Sequence, residues 1–369
     1  MSNFTPADQR YMRRALRLAV RGKRTSAPNP AVGCVLVKDG RIVGEGFHAW
    51  AGEAHAEIRA LDAAGEAASG ATAYVTLEPC SHHGRTPPCT GALIGAGVGR
   101  VVVAMRDWNP KVNGAGLSRL RAAGIATSEG LYEQESQSLN RGFFRRISDG
   151  RPWLTLKVAA SLDGKSALAD GGSRWVTGPV ARAAVHRSRA RAGAVLTGIG
   201  TVLADDPALN VRLPGTARQP LRVILDSKLR TPPDARLFGA DGGPVHIFCT
   251  RKALDRRHPL ENAGATVHDV EADSQGKVGI DAVLRALAAL QVNDIYAECG
   301  PTLAGVLLAA EAVDELDLFL GPHLLGAGAR SFALLEETSA IPDPPRWRTT
   351  AVQRVGRDTR IHLQPAQEA

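Results

Sequence analysis

The sequence predicts an α/β protein built from two domains. Short apolar runs that are typical of buried strands alternate along the chain with segments of helical periodicity. A chain of 369 residues is too long for one ordinary core, because domains usually hold roughly 100–200 residues. The cluster of turn formers at 148–152 interrupts the alternation. We therefore expect one domain at 1–150 and a second at 151–369.

The first domain is predicted to begin with an amphipathic helix, since Thr5 and Pro6 fit the N-cap and the first helical position. Apolar residues then recur at helical spacing, namely Tyr11, Met12, Ala15, Leu16 and Ala19. A hairpin follows, in which Asp39-Gly40 separates strands at 32–37 and 41–46. Later elements are strands at 72–77 and 100–104 and helices near 55–65, 90–96, 115–123 and 132–146. This mixture predicts a three-layer α/β domain.

The second domain restarts the pattern with a strand at 153–159. Strands are expected again at 194–197, 221–226, 245–249 and 294–298, and helices at 179–191, 281–291 and 302–312. Strands that alternate with helices predict a largely parallel sheet.

The charge of the chain is uneven. The formal net charge is +8, and residues 1–150 carry 19 Lys and Arg against 13 Asp and Glu. Arginines flank the apolar stripe of the first helix without interleaved aromatic residues that would stack bases, at positions 10, 13, 14, 17 and 21. We interpret them as a solvated helix face, and we expect no nucleic-acid partner.

The cysteines and the hydropathy of the chain indicate a cellular compartment. Five cysteines, at 34, 80, 89, 249 and 299, are an odd number, and no apolar signal region precedes the first helix, which argues against disulfides. No stretch approaches the roughly 20 uninterrupted apolar residues that span a bilayer. We therefore expect a cytoplasmic protein whose thiols are free to bind metal.

One group of residues has the composition of a catalytic zinc site. His55-Ala56-Glu57 opens a predicted helix, and Cys80 and Cys89 follow a predicted strand. A catalytic zinc takes three protein ligands and keeps its fourth position for water. We predict one zinc ion per chain held by His55, Cys80 and Cys89. Glu57 is then placed to move protons between the water and a leaving amine, as in zinc nucleobase deaminases.

Two alternatives stay open for these residues. A surface histidine, a solvated glutamate and small buried cysteines would account for each of them taken alone. A closed structural zinc site would need a fourth ligand, which His82 or His83 could supply.

The spacing of the two cysteines connects this domain to a particular family. Eight residues separate Cys80 from Cys89, whereas most zinc deaminases of nucleosides or nucleic acid have two. With this loop and the runs at 29–33, 44–48 and 107–110, the segment resembles the deaminase domain of the bifunctional deaminase/reductases of riboflavin biosynthesis. The resemblance implies a cytidine-deaminase-like three-layer α/β/α fold. It also implies a substrate pocket lined by Asn29, His48, His82, Arg85 and Asn109. Taken alone, Asn29 would fit a turn and Arg85 a solvent-facing charge.

Segments at three strand ends carry a second resemblance. They are KVAASLDGK at 157–165, GIGTVLADDP at 198–207 and ECGPTLAG at 298–305. The third alone would fit an ordinary strand-to-helix turn with proline at the first helical position. In a parallel sheet, however, all three end on the side where α/β proteins bind ligands. Together they resemble the reductase domain of the same family, which has a dihydrofolate-reductase-like α/β fold.

The resemblance implies roles for residues of this second domain. The residues that match NADPH contacts are Ala159, Trp175, Thr201, Asp205, Ser227, Gly300, Pro301, Thr302, Leu303, Ala304, Gly305 and Val306. Those that match substrate contacts are Ser173, Arg189, Leu209, Arg212 and Glu298. The arginines suit a dianionic phosphate. From the sequence alone, Trp175 would equally fit an aromatic position in the core, and Ser227 would equally fit a position in a solvated loop.

Two consecutive reactions follow from the resemblance. The first is hydrolytic deamination of 2,5-diamino-6-(5-phosphoribosylamino)pyrimidin-4-one, and the second is NADPH-dependent reduction of the ribosyl group to give 5-amino-6-(5-phosphoribitylamino)uracil. Zinc and NADPH are the implied cofactors, and phosphorylated pyrimidines are the implied small-molecule substrates. We also expect a homo-oligomer that does not bind membranes. The rival interpretations are a nucleic-acid deaminase with an accessory domain and a zinc-stabilised binding module without catalysis.

Overall fold

The computed structural model describes residues 4–81, 88–109, 113–239, 241–337, 344 and 346–366. The chain divides into two compact units, Met1–Gly150 and Arg151–Ala369. Across the described residues, the helices are all too short or too polar to cross a membrane.

The first unit alternates helices and short strands. Its helices are α1 (Pro6–Gly22), α2 (Ala56–Ala64), α3 (Cys89–Gly95), α4 (Ala115–Ala122) and α5 (Glu133–Asp149). Its strands are β1 (Gly33–Lys38), β2 (Arg41–Phe47), β3 (Thr72–Val75), β4 (Arg100–Val103) and β5 (Ala126–Glu129). Within the described residues these strands form a five-stranded sheet in the order β2-β1-β3-β4-β5. Strand β1 is antiparallel to β2 and β3, and the remaining pairs are parallel.

Helices cover both faces of this sheet, which confirms the predicted three-layer α/β domain. Helix α1 begins at a capping box, because the Thr5 hydroxyl accepts from the Asp8 N–H and the Asp8 carboxylate accepts from the Thr5 N–H. Its apolar face packs on one side of the sheet. The predicted apolar stripe included Leu16, which is only partly buried. Leu18, which was not in the prediction, is buried in that face instead. Helices α2, α3 and α4 cover the opposite side.

The second unit continues the numbering of both element types. Its helices are α6 (Pro179–Arg189), α7 (Ile199–Asp205), α8 (Arg236–Gly239), α9 (His258–Asn262), α10 (Ile280–Ala289) and α11 (Pro301–Ala309). Its strands are β6 (Trp153–Ser161), β7 (Lys165–Ala167), β8 (Ala194–Gly198), β9 (Leu221–Leu225), β10 (Val245–Thr250), β11 (Ala265–Val270), β12 (Asp294–Glu298), β13 (Glu315–Gly321), β14 (Arg330–Ser331), β15 (Trp347–Val355) and β16 (Asp358–Pro365).

A large mixed sheet organises the second unit. In the part of the chain that the structure describes, nine strands lie in the order β11-β10-β9-β8-β12-β6-β13-β16-β15. In this order, every neighbouring pair from β11 through β6 to β13 is parallel. Strand β16 pairs antiparallel with β13, and β15 pairs antiparallel with β16 as the outermost strand. The prediction of a largely parallel sheet is therefore confirmed. Because β8, β12 and β6 are neighbours, their carboxyl ends meet at one edge of the sheet, where parallel sheets bind ligands.

Candidate active sites

The predicted zinc ligands come together in the first unit. His55 is the N-cap of α2, Cys89 is the first residue of α3, and Cys80 lies in the segment that follows β3. The ligand atoms of these three side chains all lie within 4.8 Å of one another. His55 Nδ1 is 3.2 Å from Cys89 Sγ and 3.7 Å from Cys80 Sγ. Two helix starts and one strand end therefore place one imidazole and two thiols around a common point.

These separations fit a zinc ion. Tetrahedral bonds of roughly 2.3 Å to sulfur and 2.0–2.1 Å to nitrogen place neighbouring donors roughly 3.5 Å apart. The donor set of one imidazole and two thiols is also that of a catalytic zinc centre with one position left for water. The alternative fourth ligands, His82 and His83, fall outside the described residues.

Hydrogen bonds polarise the thiols in a way that suits metal binding. The pKa of Cys80 falls to about 4, because its sulfur accepts hydrogen bonds from the Cys89 thiol, from His55 and from the Cys89 backbone N–H. The bond to Cys80 and burial raise the pKa of Cys89. These hydrogen bonds favour the thiolate form of Cys80, and Cys89 must release its proton when a metal binds.

Glu57 lies beside this group on the first turn of α2. Its side chain is buried, and it forms a hydrogen bond with Cys89. Burial raises the pKa of the Glu57 carboxyl above its usual value, because the charged form is poorly solvated there. A carboxyl group with a raised pKa binds a proton more readily, as a proton-transfer role requires.

His48 packs against His55, and Asn29 contacts His48. The Asn29 side-chain nitrogen is 3.1 Å from His48 Nε2, and His48 Nδ1 is 3.3 Å from the Ala54 carbonyl oxygen. The His48 ring meets the His55 ring edge-on, with 5.3 Å between the centroids. Burial lowers the pKa of His48, so we assign a neutral ring that donates from Nδ1 and accepts from Asn29. His48 is only 2% exposed, so we interpret it as a buried residue that orients the Asn29 amide and the His55 ring.

The remaining predicted pocket residues are only partly accounted for. The Asn109 backbone N–H donates to the Asp107 carboxylate at 2.9 Å, and the intervening Trp108 packs on Phe144 with 5.0 Å between the centroids. His82 and Arg85 lie outside the described residues.

Two buried polar residues that organise this site were missed in the sequence. The Glu78 carboxylate accepts hydrogen bonds from the backbone N–H groups of Asp107, Gly114 and Leu117. The Asn140 amide pairs with both backbone groups of Ala31, at 2.7 and 3.0 Å. The available signal was a charged residue directly after a buried strand in the first case. In the second case, no local pattern distinguishes Asn140 from other helical polar residues.

In the second unit, two of the predicted strand-end segments face each other. Gly300 caps α11 with extended backbone, and a Cβ placed on Gly300 would lie 3.9 Å from Thr201 Oγ1. A Cβ placed on Gly198 would lie 3.1 Å from the Leu303 side chain. The start of α11, with its free N–H groups, therefore adjoins the turn between β8 and α7, an arrangement suited to a phosphate group.

Predicted substrate residues meet beside these turns. Arg189, the last residue of α6, donates to both oxygens of Glu298 at 2.5 and 3.0 Å, and Nη1 donates to the Asn210 carbonyl oxygen at 2.9 Å. Both side chains of the pair are mostly buried. Although burial opposes it, the nearby Arg189 lowers the pKa of Glu298, so the pair is ionic. The Arg189 fork is thus oriented by Glu298, and Arg212 is the more exposed cation.

His186 joins this cluster and was not predicted. Its Nδ1 accepts from the Arg212 backbone N–H at 3.3 Å. Burial and the charges of Arg189 and Arg212 lower the pKa of His186 to about 4, so the ring is neutral at neutral pH. Its position one helical turn before Arg189 was the only signal in the sequence.

The other predicted residues of the second unit lie on β6, in or after α7, after β9, and in the segment between β7 and α6. Trp175 is 62% exposed, with the Arg182 guanidinium 4.3 Å from its ring centroid, which excludes a core aromatic. The Ser227 hydroxyl accepts from the Val278 N–H at 3.0 Å. Leu209 is buried with a φ of 50°. Ala159 lies on β6, Ser173 lies two residues before Trp175, and Asp205 ends α7.

Comparisons with known proteins match both units. A family model described as the cytidine and deoxycytidylate deaminase zinc-binding region matches residues 5–105. A second family model, described as the RibD C-terminal domain, matches residues 152–361.

Full-length relatives match the chain as a whole. The riboflavin biosynthesis protein RibD of Escherichia coli is 47% identical over 96% of this chain and 99% of the relative, and that of Haemophilus influenzae is 43% identical over 99% of each. A structure of Acinetobacter baumannii RibD is 42% identical with a TM-score of 0.89, covering 98% of this chain and 99% of that one. A diaminohydroxyphosphoribosylaminopyrimidine deaminase/5-amino-6-(5-phosphoribosylamino)uracil reductase from Thermotoga maritima is 33% identical with a TM-score of 0.86 over the same shares.

Proposed function

The chain belongs to the RibD family of riboflavin biosynthesis proteins, and from this premise we propose which reaction each of its two units catalyses. It is a bifunctional enzyme, a zinc-dependent deaminase and an NADPH-dependent reductase. Residues 1–150 deaminate 2,5-diamino-6-(5-phosphoribosylamino)pyrimidin-4-one. Residues 151–369 then reduce the ribosyl group of the product to give 5-amino-6-(5-phosphoribitylamino)uracil.

The observation that carries the first assignment is the cluster of His55, Cys80 and Cys89 beside a buried Glu57. These three side chains would hold a zinc ion, which when bound would supply a water of lowered pKa as the nucleophile. Glu57 would accept the proton that this water loses and deliver it to the departing amine. Burial, which raises the pKa of the Glu57 carboxyl, makes it a better proton acceptor.

Substrate binding in the first unit is assigned to residues around the zinc ligands. The Asn29 amide, oriented by His48, contacts the pyrimidine. Asn109, His82 and Arg85 complete the pocket, and Arg85 supplies a cation for the phosphate.

The reductase site is assigned to the edge of the large sheet where β6, β8 and β12 end. NADPH, which supplies the hydride when bound, is held by the start of α11 from Gly300 to Val306 and by Ala159, Trp175, Thr201, Asp205 and Ser227. Gly300 and Thr201 lie close enough to share one ligand group.

The ribosylaminopyrimidine lies next to the cofactor and is held by Ser173, Arg189, Leu209, Arg212 and Glu298. Arg189 and Glu298 form one rigid pair, so the pair orients the substrate as a unit. Arg212 provides the accessible positive charge for the 5-phosphate.

One experiment tests both assignments together. The purified protein is supplied with the diaminopyrimidine phosphoriboside and NADPH, and ammonia release and NADPH consumption are recorded separately. We expect Glu57→Gln to slow ammonia release by about 10²–10⁴-fold while the reductase still consumes NADPH with the deaminated substrate. Undiminished ammonia release by Glu57→Gln would remove Glu57 from the mechanism.

We further propose that the enzyme acts in the cytoplasm, that it assembles as a homo-oligomer and that nucleic acid is not a substrate. Light scattering of the purified protein tests the assembly. A deamination assay on single-stranded nucleic acid tests the last point.

A further inference from the structure

A buried polar network lies beside the candidate reductase site. Asp317 on β13 accepts two parallel hydrogen bonds of 2.7 Å from Arg360 on β16, one from Nε and one from Nη2. Tyr296 on β12 donates its hydroxyl to Asp317 at 2.8 Å. The Asp317 side chain is 1% exposed, and the Arg360 guanidinium lies 4.9 Å from the Phe319 ring centroid. The network therefore joins three strands of the large sheet on one of its faces.

Hydrogen bonds orient the tyrosine, the aspartate and the arginine of this network. Burial and the neighbouring Asp317 raise the pKa of Tyr296 well above its ordinary value, so the hydroxyl stays neutral and donates. Arg360 is the bidentate partner of Asp317, and His362, which is 2.7 Å from Glu315, lies 3.9 Å from the same Asp317 oxygen as Arg360 Nε. A bidentate guanidinium–carboxylate pair also specifies the orientation of both side chains.

The same network contacts both elements that carry the Arg189–Glu298 pair. Arg360 Nη2 donates to the Ser188 hydroxyl at 3.0 Å, and Ser188 directly precedes Arg189 in the last turn of α6. Tyr296 precedes Glu298 by two residues on β12, so both side chains lie on the same face of the sheet. Arg360 thus contacts α6 through Ser188, and Asp317 contacts β12 through Tyr296.

We propose that Arg360 and Asp317 are positioning residues for the reductase reaction. Arg360 binds Ser188 and Asp317 binds Tyr296, and together these contacts fix the relative positions of Arg189 and Glu298. This inference rests on the proposed role of Arg189 and Glu298 in substrate binding.

The position of Arg189 explains why such support is needed. It is the last helical residue of α6, and helix ends fray readily. Glu298 and Asn210 already order the Arg189 guanidinium, so support at Ser188 acts on the helix end that carries it. A helix end that the substrate had to order again would cost conformational entropy, and this cost would weaken binding. Anchoring the preceding serine keeps the last turn in place, so less ordering remains for the substrate to impose.

The chain offers a matched control in the same unit. Arg151 and Asp314 form a second bidentate pair, with hydrogen bonds of 2.8 and 3.2 Å and side chains 19% and 6% exposed. Arg360 and Asp317 are 17% and 1% exposed. Arg151 also donates to the Ala312 carbonyl oxygen, at the opposite end of β6 from the reductase site. Arg360→Lys and Arg151→Lys should therefore cost similar stability but differ in their effect on the substrate.

The experiment measures reductase kinetics with the deaminated substrate and NADPH in the full chain. For Arg360→Lys we expect the KM for the ribosylaminopyrimidine to rise about tenfold, with kcat and the KM for NADPH within about twofold of wild type. Ser188→Ala should give a smaller rise of the same kind, and Arg151→Lys should leave all three constants near wild type. In an Arg189→Lys background, Ser188→Ala should add no further rise, because the two residues act through one interaction.

The outcomes separate this inference from the assignment on which it rests. If Arg189→Lys leaves the substrate KM unchanged, the proposed substrate site is wrong. If Arg189→Lys raises KM but Arg360→Lys and Ser188→Ala behave like Arg151→Lys, the positioning role is refuted. Should Arg360→Lys fail to fold, as judged by its melting temperature, Ser188→Ala and Tyr296→Phe decide the question. Tyr74→Phe, which removes a buried tyrosine hydroxyl from Asp8 in the other unit, is their control.

Discussion

Glu78 offers a sharp test of how the first unit holds its site together. Its carboxylate is buried and binds the backbone of a segment 29 to 39 residues later in the chain. One oxygen accepts from Asp107 at 3.3 Å and from Gly114 at 2.9 Å, and the other accepts from Leu117 at 3.1 Å. Glu78 thus joins the segment that carries Cys80 to the loop that carries Asn109.

Replacing Glu78 with glutamine is nearly isosteric but changes this hydrogen bonding. If the amide oxygen keeps the two donors, the amide nitrogen faces the Leu117 N–H, donor against donor. Leaving that buried donor unsatisfied costs about 2 kcal/mol, and the two remaining bonds lose charge assistance worth about 1 kcal/mol each. We therefore expect Glu78→Gln to lower the free energy of unfolding of the first unit by about 4 kcal/mol.

Urea inactivation measures this loss. With a denaturant slope of about 2 kcal/mol per molar, a loss of about 4 kcal/mol moves the midpoint of deaminase inactivation down by about 2 M. Reductase activity in the same samples provides an internal reference, and Glu66→Gln, at an exposed position of the same unit, is the matched control. A midpoint for Glu78→Gln that coincides with that of Glu66→Gln would show that the buried hydrogen bonds do not stabilise this unit.

Three further predictions address metal, pH and cofactor. Chelation should remove about one zinc ion per chain and abolish ammonia release while NADPH consumption with deaminated substrate persists; equal loss of both activities would contradict separate sites. Although burial opposes it, hydrogen bonds from Thr5, Tyr74 and Arg100 lower the pKa of Asp8 from 3.8 to about 2. The stability that ionised Asp8 contributes should therefore be complete above pH 3.8 and disappear as the pH falls through about 2, so the difference between wild type and Asp8→Asn in unfolding experiments should shrink over that range. Gly305→Ala would place a Cβ 1.9 Å from the Leu334 carbonyl oxygen, so it should displace the segment against α11 and raise the KM for NADPH several-fold, whereas Gly200→Ala, where nothing lies within 4 Å, should be milder.

Local patterns in the sequence were enough to predict the three side chains that come together as candidate zinc ligands, and most regular elements. His55 and Glu57 are two residues apart at a helix start, and Cys80 and Cys89 flank one loop, so their chemistry could be inferred before their distances were known. The two-domain α/β architecture followed from apolar runs alternating with helical periodicity. Family resemblance, rather than spacing, supplied the substrate and the cofactor contacts of the second unit.

Some strands could not be predicted because their pattern is not apolar. Strand β5 reads Ala-Thr-Ser-Glu and is exposed or only partly buried, and it is a strand because it pairs with β4. Strands β15 and β16 are rich in arginine, threonine and glutamine and are extended because they pair with each other at the edge of the large sheet. Strand β13 was missed although its alternate residues are buried, since charged residues interrupt its apolar ones.

The amino-acid sequence by itself indicated the candidate donors of the metal site, the order of the two units and the family to which they belong. Only the tertiary structure decided which group each buried charged side chain binds. Arg189 and Glu298 are 109 residues apart, Asp317 and Arg360 are 43 apart, and Glu78 binds backbone groups that no side-chain pattern marks. A buried charge is stable only where the fold brings its partner within hydrogen-bond distance, and sequence spacing carries no information about that distance once the partners lie on different elements.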